Sequence, residues 1–99
     1  MNTIALAERQ TIERAGELKE DILAALDRPE PIRVDASRVG QIDTSAMQLL
    51  AVLWRSAAHC GNPPSLDGPS PEFRRVAGLL GLDGLFGIRG RDAGGNPCD

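Results

Sequence analysis

The chain predicts an α/β fold with a small mixed or mostly parallel β-sheet and three or more helices. Two patterns point there: short β-capable segments alternate with helical stretches, and the helical stretches carry apolar residues at three- and four-residue spacing. The length agrees, since 99 residues accommodate one domain and leave no room for a second. With 41% hydrophobic and 25% charged residues, the composition is that of a globular protein with a sizeable core, which excludes wholesale disorder and collagen-like repeats.

The elements follow in order. Thr3–Leu6 reads as a short first strand. From Thr11 to Leu26 the residues Ile12, Ala15, Leu18, Ile22, Ala25 and Leu26 form an apolar stripe, with Glu13, Arg14, Glu17, Glu20 and Asp21 mostly off it, so an amphipathic helix is expected. Pro29 and Pro31 end it, because proline lacks the amide a helix needs and biases its predecessor toward extended backbone. Ile32–Ala36 is then a strand, with Ile32 and Val34 on one face and Arg33 and Asp35 on the other.

A loop over Ser37–Gln41 leads through Ile42 into Asp43, Thr44 and Ser45, all good helix-capping types. Ser45 and Gln48 have capping-box spacing, while Asp43 and Thr44 are equally suitable as caps. The helix they open should reach about Cys60. Ala46, Leu50, Leu53 and Ala57 share one side, flanked by Met47, Leu49 and Trp54, with Gln48, Val52, Arg55 and His59 opposite. So wide an apolar girdle implies deep packing on a sheet, or a face shared with a partner.

Ser65 and Leu66 are a minimal third strand. Ser70, Pro71 and Glu72 then supply a cap, a first-position proline and a first-turn acid for a helix whose Phe73, Val76, Ala77 and Leu80 form a core stripe, closed at Gly81. Leu82, Leu85 and Phe86 should fold back on the core. The domain is expected to occupy residues 1–88, and the Gly-rich residues 89–99 to form a flexible tail. Parallel strands so arranged require right-handed crossovers through the helices.

Charge and missing signatures narrow the function. Eleven basic against fourteen acidic residues, a net charge of −3, one Trp, two Phe and no Tyr argue against nucleic-acid binding. No apolar run approaches the roughly 20 residues of a membrane span, and the N-terminal stretch lacks the basic start and apolar block of a secretory signal, so a cytoplasmic location is expected. Cys60 and Cys98 form no CxxC and are read as free thiols. His59 beside Cys60 has the wrong helical phase for a nucleophile and base, and there is no phosphate loop, GxGxxG, HExxH or GxSxG. An enzyme is therefore not expected, nor a cofactor or metal. A catalytic pair formed by Asp35 and Asp43 lacks an accompanying nucleophile or metal set.

The segment VDASRVGQIDTSAMQLLAVLWRSAAHCGN resembles the central signature of the STAS domain, the family of sulfate-transporter tails and anti-sigma factor antagonists. The resemblance rests on Val34 and Asp35 at a strand end, on Val39 and Ile42, on Asp43, Thr44 and Ser45 opening an apolar helix with Leu49 and Leu50, and on Gly61 closing it. SPEFRRVAGLLGLDGLF is similar to the family's last core helix and its follow-on. Ala46 departs from the pattern, standing where a glycine is usual, and the N-terminal hairpin of many members looks trimmed.

The resemblance implies a non-catalytic regulatory module of the anti-sigma factor antagonist type, switched by phosphorylation of Thr44, with Ser45 as the alternative acceptor. Asp35, Asp43, Thr44, Ser45 and Gln48 are then the partner-binding residues, and an anti-sigma factor or serine/threonine protein kinase the partner. A STAS subunit of a bacterial phospholipid-transport ABC complex, docking on its ATPase, and an accessory role in a chemotaxis or two-component pathway are the alternatives. Oligomeric state is left open. Physical chemistry makes the position suitable, because a helix N-terminus offers unpaired amides and the positive end of the macrodipole to a phosphate.

Overall fold

The computed structural model describes residues 2–88. The predicted tail over 89–99, Cys98 included, lies outside the described residues. Within them the chain runs β1 (Asn2–Ala5), β2 (Arg9–Gln10), a single-turn 3-10 helix (Ile12–Arg14), α1 (Ala15–Leu26), β3 (Ile32–Asp35), β4 (Gln41–Ile42), α2 (Thr44–His59), β5 (Ser65–Asp67), α3 (Pro71–Leu79) and α4 (Asp83–Phe86). The fold is α/β, as the alternating pattern predicts.

Strands β1, β3 and β5 form a parallel sheet in that order, with Ile4 opposite Val34 and Val34 opposite Leu66. Two crossovers step in the same direction across the sheet, and with the usual right-handed sense both place their helices on one face. α1 accordingly packs against α2. Burial alternates to match: Asn2, Ile4, Ile32 and Val34 point into the core, and Thr3, Arg33 and Ser65 point to solvent. Parallel sheets are usually covered on both faces. Here the face that no described helix covers carries Thr3, Arg33, Ser65 and Asp67, and Arg33 lies 3.9 Å from Asp67 across it.

Val34, Met47, Leu50, Leu53 and Phe73 are fully enclosed. Trp54 and Phe86 meet edge to face with ring centroids 4.9 Å apart, and Phe73 lies 5.5 Å from Phe86, so α4 is held to α2 and α3 by aromatic contact. Leu82 and Leu85 pack on the same core. At the end of α3, Gly81 adopts φ +71°, and Leu82 N–H returns to the Ala77 carbonyl, which closes the helix as the glycine foretells.

The sequence reading differs from the structure in several places. Leu26 and Leu80, expected on the apolar stripes of their helices, are 36% and 39% exposed, because each stands at the end of its helix, Leu26 as the last residue of α1 and Leu80 as the C-cap of α3. The N-terminal helix opens as a 3-10 turn, and Ile12, expected on the buried stripe, is 64% exposed. Its amide is drawn to a carboxylate across the fold, so the turn before α1 follows that bond rather than the apolar periodicity. The loop after β3 contains β4, paired in parallel with β2, where only irregular chain was expected. Strand β1 begins one residue earlier than predicted, because Asn2 is anchored by its amide to the carbonyls of Ala25 and Glu30.

Candidate functional site

The site is the start of α2 and the two short segments that carry it. Gly40 just before β4 and Gln41 at its start donate N–H to the Glu8 carbonyl, and Asp43 N–H reaches the Gln10 carbonyl. The β2–β4 pair thereby fixes where α2 begins. Ile42 is buried beside Gln10, whose Oε1 accepts the Ala7 N–H at 2.8 Å and closes the preceding loop.

Among the three capping candidates, Asp43 is the N-cap. Its backbone is extended, and one carboxylate oxygen accepts the Ala46 N–H at 3.1 Å and the Ser45 hydroxyl at 2.8 Å. The other accepts the Ile12 N–H at 2.7 Å. Burial raises the Asp43 pKa, but the bonds from Ser45, Ala46 and Ile12 together outweigh it and hold the carboxyl below its ordinary value. Ile12 is the residue sequence reasoning missed, since no local signal connects an amide to a carboxylate 31 positions away.

Thr44 is the first residue of α2 and is exposed, and its hydroxyl has no hydrogen-bond partner among the described residues. Ser45 is half-buried with its hydroxyl committed to Asp43. Gln48 lies exposed one turn on. Asp43, Thr44, Ser45 and Gln48 thus share one end of one helix.

Asp35 ends β3, and its carboxylate turns inward on its own loop, accepting the Ser37 hydroxyl at 2.7 Å and the Ser37 N–H at 3.0 Å. These bonds, hydroxyl first, lower its pKa despite some burial, and Arg38 and Arg33 add to the effect. Asp35 and Asp43 therefore organise separate loops rather than one carboxylate pair. Met47 and Trp54 are buried and belong to the core. Cys60 is exposed and free. Among the described residues no group of His, Cys, Asp or Glu is placed to hold a metal ion, and no helix is long and apolar enough to cross a membrane.

The fold is thus a small α/β domain with a parallel sheet backed by two helices and an exposed hydroxyl at the start of the second. A family model described as "Mlab, STAS domain" matches residues 2–88, and the chain belongs to the STAS domain family. A solved structure of a sulfate transporter family protein from Wolinella succinogenes is similar in fold, with a TM-score of 0.70 at 19% identity over 85% of this chain and 69% of that one. No curated protein matches the chain.

Proposed function

We propose that this STAS domain is a non-catalytic, cytoplasmic regulatory module of the anti-sigma factor antagonist type. It docks through the start of α2 on an anti-sigma factor or serine/threonine protein kinase, and phosphorylation of Thr44 ends the contact. The observation that carries this reading is the contrast between two adjacent hydroxyls: that of Thr44 is exposed and unbonded among the described residues, and that of Ser45 is held by Asp43 at 2.8 Å. Thr44 is the acceptor in this account, with Ser45 a helix-end brace. Asp35, Asp43 and Gln48 complete the docking surface, the two aspartates by holding their loops.

A phosphate added to Thr44 meets the open amides of the first helical turn, so the domain tolerates it. The partner does not. Against an acidic partner group about 5 Å away, each added charge costs about 1 kcal/mol in water-like screening and about 3 at an effective dielectric near 20. A phosphothreonine brings up to about two charges, and every 1.4 kcal/mol is roughly tenfold in affinity. Release by one to several decades follows from local electrostatics alone.

A second reading, a STAS subunit of a phospholipid-transport ABC complex that docks on its ATPase through the same surface, is favoured by the description of the matching family model as the Mlab STAS domain. Affinity capture from native extract, with and without phosphatase, separates the two. A kinase or anti-sigma factor that is retained only after phosphatase treatment supports the first. A transporter ATPase retained equally in both supports the second and overturns the first.

A further inference from the structure

We infer that the free edge of β1 is a self-pairing surface, and that two copies of the chain join β1 to β1 in antiparallel fashion to make one continuous sheet. The backbone supplies the first half of the argument. Leu6 N–H donates to the Asp35 carbonyl. By the alternation of a parallel ladder, the N–H and C=O groups of Thr3 and Ala5 therefore face away from β3, at an edge that no described strand covers.

The two edges of the sheet are protected differently. β5 is three residues long, follows Pro63 and Pro64, precedes Pro69 and carries Asp67, devices that discourage pairing. β1 reads Asn-Thr-Ile-Ala, without charge or proline. Alongside it runs a groove of about 230 Å³, walled on the helix side by Asp21 and Ala24 of α1 and by Arg28 in the turn that follows the helix. That groove is where a further strand would lie.

The charges on its wall select the occupant. Asp21 and Arg28 are both exposed and have no ion-pair partner among the described residues. Asp21 lies on α1 and Arg28 in the turn beyond its last residue, and both line the groove together with Ala24. A twofold axis through Ile4 sets Thr3 opposite Ala5 of the second copy, where the two exchange N–H···O bonds. The same axis runs the two α1 helices antiparallel on one face. The acidic Asp21 of each groove wall is thereby brought toward the basic Arg28 of the other, with the small Ala24 side chain on the wall beside Asp21. The edge and the charges are complementary to themselves.

Sedimentation velocity on the full chain across a concentration series tests this, and the expected average mass rises from 10.5 kDa toward about twice that value. Asp21→Arg should abolish the rise by placing like charges together, and the exchanged pair Asp21→Arg with Arg28→Asp should restore it. Thr3→Pro removes an outward amide and should also give monomers; circular dichroism identifies any variant that has lost its fold, and the two surface-charge variants test the pairing independently of it. A mass that stays at one chain throughout overturns the proposal and leaves the edge to a strand of another polypeptide. A dimer indifferent to Asp21→Arg overturns it as well.

Discussion

The carboxylate of Asp43 and the backbone N–H of Ile12, 31 residues apart in sequence, are joined at 2.7 Å. Through its other oxygen the same carboxylate holds Ser45 and Ala46, so one side chain ties the turn before α1 to the start of α2. Asp43→Ala removes the cap and leaves the Ile12 amide without its acceptor, and should cost about 1–3 kcal/mol. Asp43→Asn retains one acceptor oxygen and should cost less. Urea denaturation midpoints check both, and equal midpoints for wild type and Asp43→Ala would contradict the bridging role.

Acid should weaken the fold in a defined direction. The Asp43, Asp35 and Glu72 carboxyls all sit below their ordinary values in the folded chain, Glu72 because Arg75 donates to it at 2.7 Å. A carboxyl that releases its proton more readily when folded stabilises the fold above its unfolded pKa, and this stability is lost as pH falls through the folded pKa. Unfolding free energy should thus be level above roughly pH 5 and fall below about pH 4. The decline should be shallower in Asp43→Asn, as read from urea melts at successive pH values.

Phe86 should matter more than its place in a one-turn helix suggests. It is buried against both Trp54 and Phe73. Phe86→Ala should destabilise by about 3–5 kcal/mol. Trp54 is the only tryptophan in the chain, so intrinsic fluorescence reports this contact directly. The native emission of Phe86→Ala should move toward that of a solvated indole, and an unchanged spectrum would count against the packing described.

Two glycines near the end of α3 should respond oppositely to alanine. Gly78 is helical, and an added Cβ there would meet no atom within 4 Å, whereas Gly81 has φ +71°. Gly78→Ala should stabilise by about 0.5–1 kcal/mol and Gly81→Ala should destabilise by about 1 kcal/mol. Thermal melts of the two variants give the signs.

Much of this structure is written in local signals. Ser70, Pro71 and Glu72 open α3 and Gly81 closes it, because caps, a first-turn proline and a positive-φ glycine act within a few residues. The core stripe of α2 follows from its period, with Met47, Leu50, Leu53 and Trp54 all buried. What the sequence conceals is pairing at a distance. β2 and β4 are two residues each, too short for any period, and are held by Gly40, Gln41 and Asp43 bonding to the carbonyls of Glu8 and Gln10 far upstream. For the same reason the choice of Asp43 over Thr44 and Ser45 as the cap was open: all three have capping chemistry, and the Ile12 amide that engages Asp43 comes from outside the segment. Thr44 was legible as a candidate from its position, and its freedom relative to Ser45 only from the geometry.

The most direct test of the regulatory account is the affinity of the captured kinase or anti-sigma partner for three forms of the domain, measured by isothermal titration calorimetry. Wild type and Ser45→Ala should bind within a few-fold of one another, since the Ser45 hydroxyl braces the helix end. Thr44→Glu should bind at least roughly tenfold more weakly, matching about 1.4 kcal/mol of introduced repulsion, with its urea midpoint within about 0.5 kcal/mol of wild type. Equal affinity of Thr44→Glu and wild type would contradict the claim that the contact is governed at Thr44.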